Sequence, residues 1–166
     1  MIALSLLTAL VPLIAAHATA SAAATAAAAP SGGAGTGWVG PGVAGFGDAA
    51  DFGGLGGMRL AAPPVALVAT PDGQGYWVAT AAGEVAAFGD AALYGSAAGA
   101  ALHAPIVGMA ATLDGRGYWL VAMDGGVFAF GDARFFGSTG AIRLNEPIVG
   151  MARTPDGGGY WMVASD

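Results

Sequence analysis

His103, Ser96, Ser138, Glu84 and Glu146 are among the residues downstream of the first forty on which hydrolytic chemistry could draw. Acyl transfer needs a nucleophile, a base and an acid brought together. No nucleophile motif surrounds Ser96 or Ser138, and the chain has no cysteine. His103 stands where two sister segments place Ala61 and Asn145. A position that tolerates all three fits a solvated turn residue better than a general base. Glycoside hydrolysis needs two carboxyl groups at a set separation. Glu84 and Glu146 fall at unrelated positions, aligned with Gly126 and Ala104, and no spacing supports such a pair. Nucleotide binding would need a Gly-rich loop leading from a strand into a helix, whereas these glycines sit in turn sequences with no helical period after them. No catalytic residue is assigned, no cofactor is expected, and the chain reads as a non-enzyme.

Metal chemistry fares no better. A Gly-Asp pair recurs at Gly47-Asp48, Gly89-Asp90 and Gly131-Asp132, always after phenylalanine. Calcium loops set several oxygen ligands at alternate positions, but each copy here offers one Asp between Gly and Ala. Asp48, Asp90 and Asp132 therefore read as turn residues bonding nearby backbone N–H groups. The net charge of −6, the absence of lysine and a total of five arginines argue against a nucleic-acid partner, which calls for clustered positive charge.

The elements that position these groups come from one phrase. "GYWVAT", "GYWLVA" and "GYWMVA" begin at Gly75, Gly117 and Gly159, a constant spacing of 42. At that period each repeat is a small supersecondary unit that must stack on neighbours to bury its apolar face. Each repeat opens at Pro63, Pro105 or Pro147 with a β-type run, turns at "PDGQG", "LDGRG" or "PDGGG", and enters the GYW strand. A second turn, a "VAAFGDA" or "VFAFGDA" run and a short "LYGS" or "FFGS" segment follow, giving about four strands per repeat. Both faces of the GYW strand are apolar, so it should be covered on both sides. Trp77, Trp119 and Trp161 could stack on sugars, but their place in that strand favours a structural role. The two end segments, 147–166 and 41–62, together make one further 42-residue repeat. Closure of the array through its ends is the resulting expectation.

A repeat scaffold keeps its core constant and recognises ligands through positions that vary. Those that gain a polar group are Gln74 and Arg116 beside the Asp-Gly turn, Arg134 after the Gly-Asp turn, and Arg59, His103, Arg143, Asn145 and Glu146 near the inter-repeat connection. They are the ligand-binding candidates, with surface drift as the alternative explanation.

The apolar run Ile2–Ala16 with small residues behind it, as at Ala18-Thr19-Ala20, has the form of a secretory signal peptide over residues 1–20, extending to about 24, although it opens without Lys or Arg. An uncleaved anchor is the weaker alternative, since the run is short for a span and Pro12 interrupts it. Residues 21–37, rich in Ala, Gly and Ser, read as a linker, and 38–166 as the β-repeat domain. The mature form should then be secreted or held at the cell surface without a stable membrane span.

The string "PIVGMAATLDGRGYWLVAMDGGVFAFGDARFFGS" resembles the "GYWLVASDGG…FGDA…GS" repeat of exported actinobacterial proteins, which occurs in arrays, sometimes beside cell-wall hydrolases. That resemblance, over residues 41–166, implies an extracellular all-β array of propeller-like blades and carries over no catalytic residue. Three repeat equivalents fall below the roughly four to eight blades of a propeller. The chain is then a fragment, or a homo-oligomer completing a propeller, or a β-trefoil-like threefold closure. The leading functional expectation is an exported module binding a cell-surface glycan or protein. A structural spacer that assembles with further blades is the alternative, and a cell-wall-associated hydrolase the third reading.

Overall fold

A computed structural model describes the backbone of Trp38 and Val39 and residues 42–166. The expected signal peptide at 1–20, with any helix in it, and the linker at 21–37 lie outside the described residues. Those described are all-β. Among them no helix is long and apolar enough to cross a membrane.

Ten strands run in order: β1 (Trp38–Val39), β2 (Arg59–Leu60), β3 (Pro64–Ala69), β4 (Gly75–Thr80), β5 (Val85–Gly89), β6 (Ile106–Ala111), β7 (Gly117–Ala122), β8 (Val127–Gly131), β9 (Ile148–Arg153) and β10 (Tyr160–Ala164). They form antiparallel sheets ordered β3-β4-β5, β6-β7-β8 and β9-β10, besides the short β1-β2 ladder. Each complete repeat is thus one three-stranded meander whose middle strand carries the GYW phrase. The first strand packs against its counterpart in the next repeat, β3 on β6 and β6 on β9. Every first strand also carries one unpaired residue, Val65, Val107 or Val149, where the register slips. The irregularity therefore recurs with the sequence period.

The expected fourth strand is corrected to a loop. The "LYGS" and "FFGS" segments form no ladder: a tyrosine hydroxyl of the following repeat, Tyr118 or Tyr160, bonds two backbone groups in each, and a tryptophan indole bonds the carbonyl just before each. Trp77 Nε1 donates to the Ala92 carbonyl at 2.8 Å and Trp119 Nε1 to that of Arg134 at 2.8 Å. The Tyr118 hydroxyl accepts from Tyr94 N–H and donates to the Gly95 carbonyl, one repeat back. Polar groups satisfied in this way have no call for a neighbouring strand.

Strands β4 and β7 are buried along their whole length, as an apolar strand covered on both faces requires. Their interiors merge into the main core, where Trp77, Ile106, Met109, Tyr118 and Leu120 pack together. Adjacent repeats interlock through aromatic rings, Trp77 against Tyr118 and Trp119 against Tyr160, each with centroids 5.6 Å apart. Strand β10 departs from this pattern. It pairs with β9 alone, and Trp161 is 59% exposed where Trp77 and Trp119 are at 0% and 2%. The core placement expected for Trp161 is corrected accordingly: among the described residues, no third strand covers it. Ring closure between β10 and the segment around Phe46 is not formed.

Candidate functional site

The turn before each middle strand is built by a threonine, at Thr70, Thr112 and Thr154. The Thr70 hydroxyl donates to Asp72 Oδ1 at 2.7 Å and accepts from Gly75 N–H at 2.9 Å, while Asp72 Oδ1 also accepts from Gln74 N–H. Thr112, Asp114 and Arg116 repeat the arrangement. These bonds hold the carboxyls of Asp72 and Asp114 below the ordinary aspartate range, through Thr70 first for Asp72 and through Arg116 N–H first for Asp114.

The Gly-Asp aspartates meet these turn aspartates. Asp90 lies beside Asp72 and Thr70, and Asp132 beside Asp114 and Thr112. Loss of hydration pushes both carboxyls up, and the neighbouring aspartate adds to the shift. Thus each complete repeat contains one carboxyl pair with opposed proton affinities. Such a pair titrates as a unit, the first proton going to the Gly-Asp aspartate. A cleft of about 160 Å³ runs past Asp72, Asp90 and Trp77 to Asp114 of the next repeat. Since the pair recurs wherever both turns are present and hangs on the threonine that makes the hairpin, it belongs to the scaffold. Sequence reasoning placed the Gly-Asp aspartates in turns but missed their partners. The signal was a threonine five residues before each GYW glycine.

The eight ligand-binding candidates are all on the surface. Arg59 lies in β2, and Gln74 and Arg116 stand on the hairpin turns, where Arg116 Nε approaches Asp114 at 3.8 Å. Arg134 lends its carbonyl to Trp119. His103 lies on the exposed connection between β5 and β6, next to Ala104.

Three candidates converge. Arg143, Asn145 and Glu146 line an open depression of about 380 Å³ together with Asp124, over a floor that includes Met123, Ile142, Leu144 and Pro147. The depression exists because the 142–147 connection crosses back over the second turn that follows β7, where Ile148 N–H donates to the Met123 carbonyl and Thr139 N–H to that of Gly125. It offers one cation, two carboxylates and one amide around apolar surface. It offers no nucleophile.

No protein-family model matches the chain, and no curated protein matches it. The site must therefore speak for itself.

The groups considered for hydrolysis are held separately. Glu84 Oε2 accepts from Ala61 N–H at 2.9 Å, whereas Glu146 faces Ser165. Ser96 Oγ accepts from Ala98 N–H. Among the described residues, no group of three His, Cys, Asp or Glu side chains could hold a metal ion.

Proposed function

We propose that the chain is a non-enzymatic, exported β-repeat module that binds a glycan or protein at the cell surface or wall, with the Arg143–Asn145–Glu146 depression as its recognition site. The carrying observation is the convergence of three repeat-variable polar residues on one open depression, next to apolar surface that a ligand can cover. Mixed polar and apolar lining of this kind fixes a ligand's orientation while the buried apolar area supplies affinity. The repeat scaffold supports this reading, since it holds the 142–147 connection between two rigid hairpins.

The test is binding of the purified chain to arrayed cell-wall glycans and surface peptides, run beside glycosidase, esterase and peptidase assays. The expected result is binding to one class, weakened at least tenfold by Arg143→Ala, without turnover. Turnover lost in His103→Ala or Glu146→Ala would replace the binding module with an enzyme.

A second reading, a structural spacer that works by assembling with further blades, is favoured by the bare outer edge of β10.

A further inference from the structure

The segment Val43–Gly47 aligns with β5 and β8, the third strands of the two complete repeats. It pairs with no strand, yet it already holds the third-strand turn. Gly47 has φ +67°, against +68° at both Gly89 and Gly131. Ala49 N–H donates to the Phe46 carbonyl at 3.3 Å, as Ala91 does to Phe88 at 3.4 Å and Ala133 to Phe130 at 3.3 Å. A positive φ at a Gly-Asp step is adopted here without a ladder to enforce it, so the segment is shaped in advance for pairing. Its apolar side chain is unspent: Phe46 is 86% exposed, whereas Phe88 and Phe130 pack on Tyr76 and Tyr118 at 5.4 and 5.7 Å.

Strand β10 shows the complementary gap. Tyr118 has ring partners in Trp77, Tyr94 and Phe130. Tyr160 has the first two counterparts, Trp119 and Phe136, and the phenylalanine place is open. A Cβ on Gly75 or Gly117 would meet the third-strand carbonyl of Phe88 or Phe130 at 2.4 Å, but on Gly159 it meets nothing closer than Thr154 Cγ2 at 3.7 Å.

We propose that β10 is completed by the Val43–Gly47 segment of a second copy of this chain, added as an antiparallel third strand. The two complete repeats set the register, since Gly75 opposes Gly89, Tyr76 opposes Phe88 and Val78 opposes Ala86. Carried over, Gly159 faces Gly47, Tyr160 faces Phe46 and Met162 faces Ala44. The Trp161 indole then donates to the Ala50 carbonyl, and Tyr76 of the second copy packs on its ring. The sequence upstream of the segment lacks the phrase, since Gly33-Ala34-Gly35 stand where Gly-Tyr-Trp recurs. Within its own copy the segment is anchored at its start, where Val43 packs into the cluster that holds Tyr76 and Val78 of β4 with Ala86 and Phe88 of β5. Strand addition to an exposed edge supplies main-chain hydrogen bonds for affinity and side-chain fit for register. The interface is head-to-tail, and closes into a ring or extends according to the rotation between copies.

The inference rests on the assembly reading and narrows it to one partner and one register. The test is the mass of the full chain in solution by light scattering, for the wild type and for Gly159→Ala and Phe46→Asp. Within one copy Gly159→Ala gains only an ordinary contact with Thr154 and position 46 is exposed, yet both substitutions block the proposed strand. The expected result is an assembled wild type, with both variants folded and at least tenfold weaker in association. Oxidation of the Ala44→Cys/Met162→Cys double variant should link separate chains, whereas Val43→Cys/Met162→Cys, one residue out of register, should link them far less. Assembly unchanged in both variants overturns the strand proposal and leaves the wider assembly reading standing. A wild type that stays a single chain at every concentration overturns both, and a link formed within one chain overturns the second copy as partner.

Discussion

The Tyr118 hydroxyl donates to the carbonyl of Gly95, 23 positions earlier, and accepts from Tyr94 N–H, so one phenol closes two backbone groups of the preceding repeat. Tyr76 reaches Gly53 and Tyr160 reaches Gly137 in the same way. Each GYW tyrosine is therefore a bolt between repeats as well as a core ring, and burial raises the Tyr118 phenol above the ordinary tyrosine range.

Tyr118→Phe keeps the ring and removes the bolt. Two partly buried backbone groups lose their partner, so the expected loss is about 1–3 kcal/mol in urea denaturation. Tyr160→Phe should cost less, since the Phe136 N–H that it serves lies in an exposed setting. Equal losses at both positions would contradict the bolt.

Thr139 carries a buried hydroxyl without a hydrogen-bond partner, crowded against Gly125. The first repeat places Ala97 at the corresponding position, against Gly83. Thr139→Ala should stabilise the chain by about 1 kcal/mol, because an unsatisfied buried hydroxyl costs more than its removal. A drop in melting temperature would show that the hydroxyl has a hidden role.

Gly117→Ala and Gly159→Ala form an internal comparison. At Gly117 the new methyl group meets the Phe130 carbonyl at 2.4 Å and Ala133 N at 2.7 Å, both backbone atoms that cannot step aside. The expected loss is about 3 kcal/mol or more, against a near-neutral change in the folding of a single copy at Gly159. Calorimetry of both variants at low concentration checks the difference.

Much of this architecture was legible in the sequence because the 42-residue period aligns equivalent atoms. The β-runs, the hairpin turns and the two-sided burial of Trp77 and Trp119 follow from alternation and turn chemistry. The fourth strand is not formed because "LYGS", for all its strand-like residues, has backbone groups bonded by the Tyr118 hydroxyl of the next repeat. Trp161 was misplaced for a related reason: its residue type matches Trp77, but burial depends on a third strand that β10 does not have. In the site, Arg143, Asn145 and Glu146 were visible as departures from the repeat. Their convergence with Asp124 was not, since it arises where two connections cross in space.

The carboxyl pairs make stability depend on pH in two directions. Asp90 and Asp132 have raised proton affinity in the fold, so between neutral and mildly acid pH the folded state takes up more protons than the unfolded chain and gains stability as pH falls. Asp72, Asp114 and Asp156 have lowered affinity, so stability is lost on further acidification below the ordinary aspartate range. Melting temperature should therefore peak at mildly acid pH. Asp132→Asn should raise it at pH about 7 and flatten the gain on acidification. Asp114→Asn should lower it by weakening the acceptor of Thr112 and Arg116 N–H.

The most direct test of the binding account is a nuclear magnetic resonance titration of the isotope-labelled chain with soluble cell-wall glycan fragments and, separately, surface peptides. Saturable shifts centred on residues 142–147 and Asp124, with Gln74 and Arg59 unmoved, are the predicted result. Shifts confined to other surfaces, or none with either ligand class, would contradict it.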